Sequence, residues 1–512
     1  MKARDSNTRF ASYCAASNEK AAANVQSPLG LPQYRRWAAL AVLAAAGCAP
    51  LPPHAPPPAA LLRPALTQVV NKAAAQPGFQ TAGPLTADWW KAFNDPQLSR
   101  LIRSALRRGP SIKLAQARLR EARQAARLAA LDTTVRTDGN VSVVRERLSG
   151  HGFLPPPLSG GTTNNGNASV SAAYTLDWWG KNRAALAAAI GETRAAQAAA
   201  AAARLVLSTA VADAYLGLQG AHARLLLARR IIRKQRAQRD IAAARLRHGL
   251  SNALPVREAA QQLARGQDAA RTLHYQTQVY RYRLAALTGH GPDWRLVRHE
   301  PPARFDAPFP LPRRLPLDWL GWRPDIAAQR WRVEAAVQRI AAARAAFYPN
   351  IDLTAMAGLQ SIELGRWLTA GSLLASVGPA VHLPFFDSHT LQAKLGQRRA
   401  EADAAIDQYN RQVLAAAEQV ATRLAWLNTL NRRLALQRTA TAAARQAERL
   451  DAVRFHAGLT DNRPLLAAEI NTLGQRQRQS QLEDDRLRAI VSLIQVLGGG
   501  VRDDAERNKG AS

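Results

Sequence analysis

Apolar positions recur along this chain with two different periods. Leu207, Val211, Ala214, Leu218, Ala221, Leu225, Ala228 and Ile232 alternate spacings of four and three, which is the seam of a coiled-coil helix. Val420, Leu427 and Leu434 take up the same rhythm later in the chain. The seams predict helices from about Gly180 to His248 and from about Thr390 to His456, each on the order of 100 Å long at 1.5 Å per residue. The second period is two. Ile351, Leu353, Ala355, Ala357 and Leu359 alternate with Asp352, Thr354, Met356 and Gly358, and Val170, Ala172, Tyr174 and Leu176 alternate with Ser171, Ala173, Thr175 and Asp177. One apolar face at this period fits lipid-facing barrel strands, and it also fits a soluble hairpin. Two further strands, around Val141–Val144 and Val377–Phe385, are noisier and carry Arg145 and Pro379.

The two periods occur in one unit that is present twice. Arg245-Leu-Arg-His-Gly249-Leu250-Ser251 through Pro255 matches Arg454-Phe-His-Ala-Gly458-Leu459-Thr460 through Pro464, and both 458 − 249 and 464 − 255 give 209. That offset runs without a gap from Val211/Val420 to Gly289/Gly498. Upstream, Ser169-Val170 and Trp178-Trp179 match Ser376-Val377 and Phe385-Phe386 at 207, so two residues are added in between, expected in the turn after the strands. Pro110 through Leu131 matches Pro324 through Ala345 at 214. Each half therefore reads helix, strand, loop, strand, very long helix, tight turn, helix. Gly249 and Gly458 suit helix C-termini, and Pro255 and Pro464 suit the first turn of a return helix, so each turn is the tip of a helical hairpin.

Four strands in lipid would leave open edges whose unpaired backbone groups each cost several kcal/mol. A bacterial barrel needs at least eight strands, so two, three or more chains would have to share one.

Composition adds little to the core picture and more to the ends. Ala, Arg, Leu and Gln dominate and aromatic residues make up 6%, the composition of long packed helices. The formal charge of +32 raises nucleic-acid binding, which needs clustered Lys and Arg. Here Arg is spread along the helices beside Ala and Gln, as at Arg118–Arg127, Arg229–Arg239 and Arg398–Arg399, and we expect no nucleic-acid partner. At the N-terminus Arg35-Arg36 precede an apolar run from Trp37 to Ala46, then Gly47-Cys48 and a Pro-rich stretch. Such a run is too short to span a bilayer as a helix and suits a secretory signal. Residues 1–47 are read as that signal, with a start codon that could lie further downstream, at Val25, Leu29 or Leu31. Of the two cysteines, Cys14 would leave with the signal, so no disulfide is expected.

An enzyme needs converging acid, base, nucleophile or metal ligands. His382 and His389 merely flank a turn, and neither a phosphate-cradling Gly loop nor a Cys pair is found. Gly498-Gly499-Gly500 is read as a helix end. No catalytic residue, metal ligand or cofactor is assigned. The nearer rival is a lipid-anchored periplasmic coiled-coil adaptor or structural protein, but adaptors carry one hairpin inserted in β-domains and this chain carries two.

Over about residues 37–500 the chain resembles the outer membrane factors, the TolC-like channel proteins, and within them the lipidated NodT/OprM-type branch. The residues that carry the likeness are Ala45-Ala46-Gly47-Cys48, Asp88-Trp89-Trp90, Asp95-Pro96-Gln97-Leu98, Leu176-Asp177-Trp178-Trp179-Gly180, Gly321-Trp322-Arg323-Pro324-Asp325-Ile326, Phe347-Tyr348-Pro349, Leu383-Pro384-Phe385-Phe386-Asp387 and the paired tips. The resemblance implies a mainly α fold with a membrane β-barrel. Three protomers would give four strands each to a shared 12-stranded barrel, continued by a long α-helical coiled-coil barrel. It implies a lipid on Cys48, a Pro-rich tether over 48–75, repeats over 76–300 and 301–500, and a disordered tail over 501–512. It further implies an outer-membrane location, anchored in outer-membrane lipid and reaching into the periplasm. The partners would be a periplasmic adaptor and an inner-membrane pump, of the resistance-nodulation-division or another class. The adaptor would touch Arg245, Gly249, Leu250 and Ser251 together with Arg454, Gly458, Leu459 and Thr460. Two departures stand out. Pro464-Leu465-Leu466-Ala467-Ala468-Glu469 lacks the Asp residues that often ring the entrance in this family, and Val135 stands where the other half has Pro349, leaving the start of the first strand in doubt.

Overall fold

The computed structural model describes residues 79–81, 88–152, 155, 159–294, 309–311, 323–384 and 387–499. The signal, Cys48, the tether, Gly321, Trp322, Phe385, Phe386, Gly500 and the tail lie outside the described residues.

The first half comprises β1 (Phe79–Thr81), a 3-10 turn (Trp89–Phe93), α1 (Pro96–Arg108), α2 (Pro110–Leu131), β2 (Arg136–Arg147), β3 (Thr162–Leu176), α3 (Lys181–Arg247) and α4 (Leu254–Leu287). The second comprises β4 (Phe309–Leu311), α5 (Pro324–Ala345), β5 (Asn350–Ser361), β6 (Leu373–His382), α6 (Ser388–His456) and α7 (Asn462–Val496). β1 and β4 pair in parallel, Phe79 opposite Phe309. From α2 and α5 onward the halves have the same element order.

The long helices form where the seams predict them. Leu207, Val211, Ala214, Leu218, Ala221, Leu225 and Ala228 are buried, as are Val420, Leu427 and Leu434. At 67 and 69 residues, α3 and α6 each extend about 100 Å. Both pack against α5 and α7, and α3 also packs against α2 and α4.

Midway along α3 a waist is built by the element that the second half does not match among the described residues. Pro96 opens α1, and the Asp95 side chain accepts from the amides of Gln97 and Leu98 at 2.7 and 2.9 Å, an N-cap that satisfies two otherwise unpaired donors. Leu98, Leu101, Ile102 and Ala105 then repeat at helical spacing and bury one face. With Trp89, Trp90 and Phe93 they join Leu207, Val211, Leu218, Val420, Leu424 and Ile490 in the main core. The Tyr215 hydroxyl, wholly buried, donates to Asp95 at 2.8 Å, which fixes α1 to α3.

The sheet runs β2-β3-β5-β6, antiparallel throughout. Two expectations need correction and one open point is settled. The strand expected over Val377–Phe385 runs over Leu373–His382, whereas the one expected around Val141–Val144 lies within β2, Arg136–Arg147. Val135 does not displace the first strand, because β2 begins at Arg136 and β5 at Asn350, and 350 − 136 is the 214 of the flanking helices. The two added residues are not in the turn. α3 and α6 start 207 apart (388 − 181) and end 209 apart (456 − 247), so the extra pair is absorbed within α6, whose Ala-rich upper part continues as helix at little cost.

Candidate functional site: membrane band and helical tips

Residues directly opposite each other in an antiparallel pair point to the same side of the sheet, so the register sorts the four strands into faces. Val170, Ala172, Tyr174 and Leu176 of β3 face Ala357, Ala355, Leu353 and Ile351 of β5. Those residues in turn face Ala375, Val377, Pro379 and Val381 of β6. On the other flank Val141 and Val143 of β2 oppose Ala168 and Gly166. The strands that look noisy in isolation thus complete one apolar face. The opposite face carries Asp138, Asn140, Ser142, Asn165, Asn167, Ser171, Thr175, Asp352, Thr354 and His382. This face is polar, as a barrel lumen is.

Aromatic side chains bracket the apolar face. At its outer end Trp367, in the β5–β6 loop, lies over Gly166, where an added Cβ would come within 2.8 Å of the ring. Its indole donates to the Leu359 carbonyl at 3.2 Å. At the helical end Trp179 stacks on Tyr348 with centroids 4.5 Å apart and donates to the Pro349 carbonyl at 3.0 Å. Trp178 beside it is exposed. Gly166 to Leu176 is ten steps of strand, or about 25 Å of height at the usual rise and barrel tilt, the height of a bilayer-spanning apolar band.

The two tips lie at the far end of the long helices. In the first, Gly249 has φ +69°, the Leu250 amide donates to the Arg245 carbonyl at 2.8 Å and the Gly249 amide to the Leu246 carbonyl at 3.1 Å. In the second, Gly458 has φ +72°, Leu459 donates to Arg454 at 2.9 Å and Gly458 to Phe455 at 3.0 Å. Both are Schellman closures, which need a left-handed residue and so favour Gly. Leu250 and Leu459 are pushed outward, 65% and 73% exposed. Ser251 and Thr460 are half-buried, and Arg454 pairs with Asp451 at 3.6 Å.

The structure also brings the tips together. Arg245 of the first reaches Asp461 of the second at 3.6 Å. Asp461 caps α7 through the Arg463 amide and pairs with the Arg463 side chain at 2.8 Å. These hydrogen bonds, with Arg245 nearby, hold its carboxyl below the usual carboxylate range. One level further in, Lys234 pairs with Glu469 at 2.7 Å, tying α3 to α7.

Near the waist the tie is buried. Arg224 and Asp484, with side chains 8% and 3% exposed, meet at 3.2 Å. Gly220 makes room for the carboxylate, since a Cβ there would come within 2.5 Å of it. Burial pushes the Asp484 carboxyl up to about 6, against the pull of Arg224 and Arg488. Asp213 receives Arg488 at 2.7 Å and Arg283 at 3.3 Å. Sequence reasoning misses this network because the partners stand 260 and 275 residues apart and no local pattern marks them. Among the described residues no group of His, Cys, Asp and Glu is arranged to hold a metal ion.

Known proteins share this arrangement. The outer membrane efflux protein family pattern matches residues 101–290 and 315–499. The chain is 35% identical over 376 residues to the fusaric acid resistance protein FusA of Burkholderia cepacia, covering 72% of this chain and 70% of that one. It is 31% identical over 429 residues to the multidrug resistance outer membrane protein MdtP of Escherichia coli K12, covering 81% and 86%. The crystal structure of the outer membrane protein VceC of Vibrio cholerae superposes with a TM-score of 0.72 at 31% identity, over 81% of this chain and 99% of that one. A band and a pair of tips joined by long coiled-coil helices are the parts of a TolC-like channel, and the chain belongs to the outer membrane efflux protein family as an outer-membrane efflux channel.

Proposed function

We propose that three copies of this chain close a twelve-stranded barrel and a helical tunnel that together form the exit duct of a tripartite efflux system. The observation that carries the reading is the sheet itself. It has one apolar and one polar face across all four strands, and among the described residues its β2 and β6 edges have no partner strand. Such edges are intolerable in lipid unless they pair. Neighbouring copies supply those partners.

In this reading a periplasmic adaptor docks on Leu250, Leu459 and the residues around them. An inner-membrane pump, most simply of the resistance-nodulation-division class, feeds small molecules into the tunnel. Cys48 carries the lipid that anchors the chain. The work is conduction, with no cofactor and no catalytic step. The closed periplasmic end opens as the hairpins untwist when the adaptor engages the tips.

Two experiments test this. Unboiled protein from outer-membrane fractions should migrate as a heat-dissociable trimer, and recovery only as a soluble or inner-membrane monomer would reject the duct. In cells that also carry the pump and adaptor, cross-linking introduced cysteines at Ser251 and Thr460 should stop export. Undiminished export after complete cross-linking would sink the opening mechanism.

A further inference from the structure

The outer rim of the barrel carries a charge pattern that conduction does not use. β2 continues past its apolar residues Val141 and Val143 to Arg145, Glu146 and Arg147. Alternation along the strand puts Arg145 and Arg147 on the same side as the two valines, whereas Glu146 turns to the polar side. The register agrees: Val143 opposes Gly166, Arg145 opposes Asn164 and Arg147 opposes Thr162. Both arginines are exposed. Their cross-strand neighbours are neutral, and among the described residues neither arginine has an ion pair or a hydrogen-bonded side-chain partner.

The Trp367 ring fixes their height. It lies over Gly166, level with Val143, so Arg145 stands two residues of strand beyond the aromatic belt and Arg147 four. A membrane-interface aromatic marks the boundary of the hydrocarbon, and a guanidinium just outside it stands among the headgroups. Arg binds phosphate oxygens in a planar, bidentate fork.

We propose, on the reading that this sheet spans the outer membrane, that Arg145 and Arg147 form a docking site for phosphorylated lipid headgroups of the outer leaflet. Six guanidinium groups, two from each of three protomers, then ring the barrel at its outer boundary. The lipid phosphates compensate an outward-facing charge that no described residue of the chain pairs.

The test compares the wild type with Arg145→Gln/Arg147→Gln in phosphatidylcholine vesicles, with and without bisphosphorylated lipid A, and reads the temperature at which the trimer dissociates. Lipid A should shift the wild type upward and leave the double variant unmoved. Dephosphorylated lipid A should shift neither, and Arg145→Lys/Arg147→Lys should recover part of the effect. Equal shifts in wild type and double variant would overturn the proposal. So would a wild-type shift reproduced by inorganic phosphate alone. If the double variant loses trimer stability equally in every vesicle, the arginines pair with the neighbouring protomer, and the lipid site is rejected while the duct stands. Failure of the wild type to insert as a trimer in any vesicle would instead reject the duct itself, and the lipid site with it.

Discussion

The tips of the two repeats and the waist between them show opposite fates of a duplicated sequence. At the tips, Gly249 and Gly458 have the same conformation and the same pair of hydrogen bonds, within 0.1 Å in each length. At the waist the copies diverge. Adding 209 to Arg224 gives Arg433, and subtracting 209 from Asp484 gives Tyr275. The buried pair Arg224–Asp484 thus corresponds to an arginine and an exposed tyrosine. By the same arithmetic Asp213 becomes Thr422 and Arg488 becomes Val279. Each tip terminates its own hairpin, so each copy needs its own closure. The waist is where the hairpins meet each other and α1, and there one side of each contact is contributed only once.

The largest effect should come from dividing the waist pair. Arg224→Leu leaves the Asp484 carboxylate buried and unpaired, which costs about 3–5 kcal/mol, whereas replacing both members by apolar residues should be nearly neutral. Arg433→Ala, at the matching position, should stay within about 0.5 kcal/mol. Thermal dissociation of the trimer measures all three, and comparable losses for Arg224→Leu and Arg433→Ala would mean the halves are not as unlike as described.

The next effect is on pH. Asp484 is raised to about 6 in the folded protein, so between its unfolded value and 6 the folded state binds more protons. Stability therefore falls as pH rises from about 4 to about 6, by on the order of 2–3 kcal/mol, and is flat on either side from this group. Melting curves across that range should show the slope in the wild type and lose it in Asp484→Asn.

Smaller still, Gly249→Ala and Gly458→Ala should each cost about 1–2 kcal/mol, because a Cβ meets no neighbour at either position and only the left-handed backbone is penalised. The two costs should match, as read from hydrogen exchange at the Leu250 and Leu459 amides. Unequal costs would show that the tips, though built alike, bear different loads. The smallest effect belongs to Arg245→Gln, an exposed pair worth about 0–1 kcal/mol and sensitive to salt. Its readout is the distance between spin labels on the two tips.

How much of this was legible in the sequence follows the range of the interactions. The seam from Leu207 to Ala228 and the turns at Gly249 and Gly458 are local patterns, and the structure keeps them within a residue or two. The strand pair around Val170 and Leu353 is legible for the same reason. β2 and β6 are legible as strands but not as parts of the apolar face, because Gly139, Arg145 and Pro379 break their alternation, and only the pairing with β3 and β5 shows them completing it. The waist is least legible. Its carboxylates and guanidinium groups come from α3, α4 and α7, and nothing near Asp213 or Asp484 in the chain announces the partner.

The two residues added within α6 have a consequence for phase. In α3 the side that carries Ala188, Ala195, Ala198 and Leu205 stays buried through Thr209, Ala212 and Leu216, and from Leu207 downward a second side, 12 residues or about three and a third turns from Ala195, is buried as well. In α6 the corresponding step, Ala402 to Ala416, is 14 residues, within about 40° of four complete turns, so the same side stays buried throughout. One helix gains a second buried side on the way down, and the other keeps a single heading. Below the added pair, a substitution can be carried from one half to the other by counting 209. Above it the count is 207, and a single offset used along the whole helix would place the side chain on the wrong flank.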